Sequence, residues 1–416
     1  MRFYFPDSQD QIDPSFDFIS EERSPLRVRQ RDDRYAHEVL SPSPYQGLLL
    51  SKAMIDRHGG AGRYSAQQRQ RFYREGIRKF FRLDEVEGPR IETLGDCGAF
   101  SYIADPVPPY TVDEVIDFYE RTGFDAGVSV DHVIPIFDDS GQLELVDSPW
   151  KDRYELTLGL AEGFLDRYRA RGCSFEPIGV AQGWNPESYA GAVSRLQELG
   201  YERIALGGLV PLKTHEILAV LEGVDEVRRD ETELHLFGVT RCEHVAQFRR
   251  YGVTSFDSTS PFRQAFKDET DNFYALDRAF IALRVPQVEG NAKLQARIRS
   301  GQVDQGLARG LEQEALAALR RYEQGELELG EVVAALCEYQ ELHDARKDRS
   351  GQYAETLAAA PWRECECGVC QEVGIEAVLF RGTERNKRRG FHNLHVFAKR
   401  LERTLEESDE QLLVAA

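Results

Sequence analysis

From residue 90 to residue 261 the chain alternates short, mostly apolar runs with amphipathic segments, and no other feature limits the possible folds so tightly. The apolar runs are RIETLGDCGAF (90–100), DAGVSVDHVIP (125–135), EPIGVAQG (176–183), RIALGGL (203–209), LHLFGV (234–239) and the opening of TSFDSTSP (254–261). Between them lie segments with helical spacing of apolar positions: 111–123, 150–172, 185–200, 213–224 and 242–252. Thr111 with Glu114 three residues on forms a capping box. Asn185 before Pro186, with Gly200 at the far end, gives a second helix its start and stop signals. Continuous apolar strands are covered on both faces, as in parallel sheets. Strands alternating with helices through short loops predict an α/β fold, either doubly wound or closed into a (β/α)8 barrel. No G-x-G-x-x-G opens a helix, which weakens a dinucleotide-binding reading.

The flanks differ. Residues 1–45 are polar and carry prolines at 6, 14, 25, 42 and 44; they read as irregular, with at most one short opening strand. YQGLLLSKAMIDRHG and the stretch that follows to 82 read as helical. Residues 290–360 are rich in Ala, Leu, Glu, Arg and Gln and predict two or three helices. The ending ESDEQLLVAA reads as frayed. The expected division is a barrel over 1–285, a helical insertion over 286–360, and a small cysteine-bearing subdomain with a C-terminal helix over 361–416.

Among 416 residues, 41 % are hydrophobic and 30 % charged, as in an ordinary globular protein. No apolar run reaches the roughly 18 residues a membrane helix needs. MRFYFPDSQDQIDP lacks the basic-then-apolar order of a secretory leader, so the cytoplasm is the expected compartment. The net charge of −19 argues against a protein that coats nucleic acid nonspecifically. Two stretches run against that average: 63–82, with seven basic residues and one acidic, and 381–403, with eight and two. Both are candidates for phosphate-backbone contacts.

In a (β/α)8 barrel the site forms at the C-terminal ends of the strands. The residues that fall there are Asp96, Asp131, Gln182, the Gly207–Gly208 pair and Asp257. Two carboxylates can divide nucleophilic and acid/base work at a glycosidic carbon. A third, with a glutamine and backbone amides, can read the donor edge of a purine, and Phe100 could stack on its face. Cys365, Cys367 and Cys370 lie within six residues and offer three thiolates to a tetrahedral metal, zinc being the expected ion; His392 or His395 could complete it. Four protein ligands would leave no position open, so such a site would be structural.

The ordered series GDCGAF, SVDHVIP, VAQG, ALGGL, LFGV and SFDSTSPFR, then Cys-x-Cys-x-x-Cys and HNL, resembles the tRNA-guanine transglycosylase superfamily. The likeness covers roughly 90–265 and 362–400. It implies a (β/α)8 TIM barrel with a zinc subdomain that exchanges an encoded guanine for a 7-deazaguanine. By that resemblance Asp257 is the nucleophile that forms a covalent glycosyl–enzyme intermediate and Asp96 the general acid/base. Asp131 reads the purine edge, Gln182 and Gly208, with Gly207, meet the base carbonyl, and Phe100 and Phe237 stack on the base. Pro261 and Arg263 match the segment after the nucleophile, with Arg263 toward nucleic acid. Cys365, Cys367, Cys370 and His392 match the zinc ligands, and His395 becomes a bystander. The loop after Arg263, QAFKDE, lacks the basic, Gly-containing pattern of the tRNA enzymes, and the helical insertion is absent from ordinary ones. MRFYFPDSQDQIDPSFDF and LSKAMID resemble the DpdA branch, which acts on DNA. That branch implies 7-cyano-7-deazaguanine as the incoming base, companion proteins of a DNA modification system, and His132 near the 7-substituent. The alternatives are a tRNA enzyme and a noncatalytic nucleic-acid-binding subunit, for which retention of both Asp96 and Asp257 would have no purpose.

Overall fold

The computed structural model describes residues 1–60, 62, 64–138 and 149–415, without the side chains of 411–415. The chain forms two compact units, one of residues 1–9, 45–259 and 401–416, the other of 10–44 and 260–400.

The first unit is a closed barrel of eight parallel strands: β1 (Arg2–Pro6), β2 (Gly47–Ser51), β3 (Glu92–Asp96), β4 (Ala126–Val128), β5 (Glu176–Ala181), β6 (Arg203–Leu206), β7 (Glu233–Leu236) and β8 (Val253–Asp257). β1 closes the ring by pairing with β8, Tyr4 opposite Asp257. Of the two sheet forms the alternation allowed, the closed one is found. The helices Val112–Thr122 and Pro186–Leu199 begin at the expected caps, Thr111 and Asn185, and the second ends at Gly200 with a φ of 104°.

The stretch read as helical from residue 45 opens instead with β2. Leu48, Leu49 and Leu50 are buried in the barrel, and a short apolar run reads the same in a buried strand or helix. TSFDSTSP also stops being a strand sooner than expected. β8 ends at Asp257, and a helix, Ser260–Lys267, follows. Gly95 and Gly127, on neighbouring strands, lie under the ring of Tyr119; a Cβ on either would come within 2.2 or 2.3 Å of it. Their lack of side chains lets the helix Val112–Thr122 seat Tyr119 flat on the barrel.

The barrel's interior carries charge as well as apolar side chains. Arg203 of β6 donates to Glu92 of β3 at 3.1 Å and to the Tyr4 hydroxyl of β1 at 2.9 Å. β6 neighbours neither β1 nor β3, so these bonds cross the barrel's inside.

In the second unit, residues 286–360 hold four helices (Ala292–Arg299, Gln305–Glu323, Leu329–Asp344 and Ser350–Ala359), more than the two or three expected. Ser300, Gly301 and Gly325, two of these at positive φ, divide the pattern. The long helix Gly382–Ala415 contributes its residues up to 400 to this unit. No helix among the described residues is long and apolar enough to cross a membrane.

Candidate active site and metal centre

Because all eight strands run the same way, their C-terminal ends ring one mouth, and the strand-end residues converge there. Asp96 closes β3 and Asp257 closes β8. These strands are not neighbours, yet the charge of Asp257 acts on Asp96 across the mouth. Burial, reinforced by that charge, pushes the Asp96 carboxyl up to about 6, while backbone N–H groups of Gly98 and Cys97 oppose the rise. Asp257 is 7 % exposed. Its Oδ1 accepts the Gly238 N–H at 3.0 Å and lies 3.4 Å from Nε2 of His235.

Asp131 follows β4 and is 4 % exposed. Its Oδ2 accepts from Nε2 of Gln182 at 2.7 Å. Burial raises its carboxyl to about 7, the charge of Asp96 adds to the rise, and the Gln182 bond resists it. A like charge nearby disfavours ionisation, so the charge of Asp96 opposes ionisation of Asp131. Gln182 also offers Oε1 to the Ile134 N–H at 3.4 Å. A Cβ on Gly207 would meet Nε2 of Gln182 at 2.2 Å, so glycine is needed for the amide to reach Asp131. Gly208 has a φ of 77°, and the Gly207 carbonyl accepts from the Tyr189 hydroxyl at 2.7 Å.

Phe100 stands 52 % exposed after β3. Phe237 is half-buried and meets the His235 ring edge-on at 4.9 Å between centroids. His132 has no exposed surface; it packs against Tyr102, and its backbone N–H donates to Thr157. Arg263 is exposed on the helix Ser260–Lys267 of the second unit.

Four of the eight basic residues of 381–403 depart from the sequence reading. Arg381, Arg385, Arg388 and Arg389 are buried. Arg381 and Arg385 pair with Glu21, Arg385 also with Glu376, and Arg388 with Glu384. Arg389 donates to the carbonyls of Ala265 and Leu379. Arg381, Arg385 and Arg388 tie residues 10–44 to the helix, and all four guanidinia are engaged inside the fold and not available to phosphates. In the other stretch Arg71 pairs with Glu75 and Arg78 with Asp84; Arg63 lies outside the described residues.

The second unit gathers Cys365, Cys367, Cys370 and His392 with their ligating atoms all within 4.8 Å of one another. Nδ1 of His392 lies 3.4, 3.6 and 3.3 Å from the three sulfurs. Its Nε2 is 2.8 Å from the Tyr274 carbonyl, and Phe273 stacks on the ring at 4.0 Å. A ring N–H bound to a carbonyl fixes the tautomer and leaves the other nitrogen free to ligate. Cys367 caps the helix Gly368–Val373, its sulfur accepting from the Cys370 N–H. The set can hold a metal ion. His395 is outside it.

Sequence reasoning missed the groups that brace these residues. His235 and Ser255 sit in apolar runs where they read as interruptions, and Tyr189 lies among the buried positions of the helix Pro186–Leu199. Period-2 spacing places Ser255 on the same face as Asp257, which was the available signal.

A (β/α)8 barrel with facing carboxyls at its mouth and a Cys3His cluster in an attached unit defines the base-exchanging tRNA-guanine transglycosylase class. No family model matches the chain. It is 46 % identical over 412 residues to the DNA-guanine transglycosylase of Salmonella montevideo, covering 97 % of each chain. Queuine tRNA-ribosyltransferases are more distant. That of Xanthomonas oryzae pv. oryzae is 29 % identical over 135 residues, 32 % of this chain and 35 % of the relative. That of Pseudoalteromonas translucida is 30 % identical over 139 residues, 32 % and 36 %. The chain belongs to the DNA-guanine transglycosylases, the DpdA branch of that superfamily.

Proposed function

We propose that this protein replaces guanine in DNA with 7-cyano-7-deazaguanine through a glycosyl–aspartyl intermediate. The near full-length likeness to a DNA-guanine transglycosylase supports DNA as the substrate. The observation that carries the chemistry is the pair Asp96 and Asp257, set across one mouth, with Asp96 raised to about 6. A carboxyl with a raised pKa can hold a proton near neutrality and give it away.

In the first half-reaction a carboxylate oxygen of Asp257 attacks C1′ of the deoxyribose. The bond from C1′ to the base breaks, and the departing guanine takes the proton of Asp96. In the second, the ionised Asp96 takes the ring N–H proton of the incoming base, whose nitrogen displaces Asp257 from C1′. Asp131 and Gln182 present acceptor and donor to the base edge, beside Gly207 and Gly208. Phe100 and Phe237 supply apolar faces for stacking. A duplex substrate must extrude the guanine, at a cost of a few kcal/mol. Arg263 is the proposed contact to nucleic acid.

The cluster of Cys365, Cys367, Cys370 and His392 suits Zn2+. Tetrahedral zinc, with bonds of about 2.3 Å to sulfur and 2.0–2.1 Å to nitrogen, sets nitrogen and sulfur about 3.5 Å apart, matching the 3.3–3.6 Å found. Zinc there would hold the fold and supply no chemistry to the exchange. Companion proteins would convert the inserted base further, in the cytoplasm.

The test offers 7-cyano-7-deazaguanine with guanine-containing DNA and, separately, tRNA, and analyses the nucleosides by mass spectrometry. Deazaguanine in deoxynucleosides alone is expected. Incorporation into tRNA alone refutes the DNA reading. Exchange by Asp257→Asn refutes the nucleophile.

A further inference from the structure

Asp257 is not braced by backbone alone. His235, two strand positions before Phe237, has no exposed surface. Its Nε2 faces Oδ1 of Asp257 at 3.4 Å, and its Nδ1 faces the Ser255 hydroxyl at 2.9 Å. Ser255 in turn receives Nη2 of Arg203 at 3.3 Å. Nη1 of Arg203 donates to Glu92 and Glu176 at 3.1 and 3.0 Å. The register between β7 and β8 shifts after Leu234, so that His235 pairs with Ser255 rather than with Thr254. Such a shift re-aims side chains at the cost of ladder regularity, and here it aligns His235, Ser255 and Asp257.

Donor and acceptor rules fix the protons along this chain. Arginine can only donate, and an ionised carboxylate can only accept. Facing Asp257, Nε2 must therefore carry a proton. In a neutral imidazole Nδ1 is then an acceptor, to which the Ser255 hydroxyl donates, leaving a Ser255 lone pair for Arg203. Burial and the nearby cations Arg203 and Arg2 keep the ring neutral, outweighing the pull of Asp257.

We propose that His235 is a positioning residue for the exchange reaction. Together with the Gly238 N–H it pins Oδ1 of Asp257, so that Oδ2 is presented to C1′, and Ser255 and Arg203 hold His235 in the donating tautomer. The inference rests on the reading of Asp257 as nucleophile. The two donors also receive the charge that returns to the carboxylate when the second base displaces it.

The test compares full-length His235→Phe, His235→Gln, Ser255→Ala and Asp257→Asn for steady-state exchange on DNA. Phenylalanine keeps the ring's packing and removes the donor. Its kcat is expected to fall roughly 10- to 100-fold, the loss that goes with one hydrogen bond to a charged group, with KM for DNA and for the base unchanged. Glutamine, with an amide N–H near the place of Nε2, is expected to recover most of kcat. Ser255→Ala leaves the imidazole and frees its tautomer, so a smaller kcat loss at constant KM is expected, and it carries the test if the phenylalanine variant does not fold. Wild-type kcat in folded His235→Phe or in Ser255→Ala, with Asp257→Asn inactive, overturns the proposal alone. Exchange by Asp257→Asn overturns the nucleophile and the proposal with it.

Discussion

Asp131→Asn should make the protein more stable at pH 8 and flatten its stability against pH. In the folded chain the Asp131 carboxyl is raised from 3.8 to about 7, chiefly by burial. A group whose folded pKa lies above its unfolded value contributes stability that is complete below the unfolded pKa and is lost as pH rises through the folded one. For Asp131 that window runs from about 4 to about 7. Each pH unit inside it is worth about 1.4 kcal/mol. Between pH 5 and pH 8 the wild type should therefore lose about 2–3 kcal/mol through this one side chain. Asparagine keeps the oxygen that accepts from Gln182 and cannot ionise, so the loss disappears. The measurement is the melting temperature of both proteins at pH 5, 6, 7 and 8. The difference between them should grow by a few degrees from pH 5 to pH 8. Comparing the two proteins cancels every titration they share. Parallel curves would refute the argument, because they would mean that Asp131 titrates alike in folded and unfolded chains. The same variant should lose base exchange, since an amide cannot accept from both donors of a guanine edge.

Other outcomes test the remaining assignments. Glycosyl–enzyme formation, followed in single turnover as a covalent DNA adduct, should slow as pH rises through about 6, where Asp96 gives up its proton. Resolution of the adduct by the incoming base should show the opposite dependence, and Asp96→Asn should abolish both trends along with most of the rate. Cys367→Ser should lower metal content and melting temperature together, whereas a stable, metal-free, active variant would refute the structural role. Arg389→Ala should cost on the order of 3 kcal/mol, because it strands the buried carbonyls of Ala265 and Leu379. Arg263→Ala, at an exposed position, should instead weaken DNA binding and flatten its salt dependence without changing the melting temperature.

The parts of the fold that the sequence made legible are those in which local signals agree. Helix Pro186–Leu199 has cap, Pro at its first position and Gly at its end, each with a mechanism. The strands from β4 to β7 lie between segments of helical spacing, so each was pinned from both sides. β2 had no such neighbours. GLLLS runs directly into the helix Lys52–Asp56, and only closure of the barrel, a long-range requirement, decides that Leu48–Leu50 are extended. The strand-end carboxyls could be found because barrel topology assigns them a place, while the pairing of Asp131 with Gln182 across β4 and β5 could not, because it depends on the Gly207 backbone leaving room.

The four buried arginines of the basic stretch 381–403 were missed for a different reason. A count of charges gives their number and leaves out the face they occupy. Arg385, Arg388, His392 and Val396 recur at helical spacing, so they lie on one side of the helix Gly382–Ala415. His392 on that side had already been singled out as a metal ligand, and a structural metal site is enclosed. The ligand thus marks its own face as the buried one, and the arginines that share it must be buried too. A buried guanidinium requires partners, and the irregular, acid-bearing segment 10–44 provides them through Glu21, with Glu376 and Glu384 beside it. The arginines on one face of one stretch and the acids of another are therefore one feature, the two sides of a buried ion-pair network, and the search for phosphate contacts moves to exposed cations such as Arg263 and Arg403.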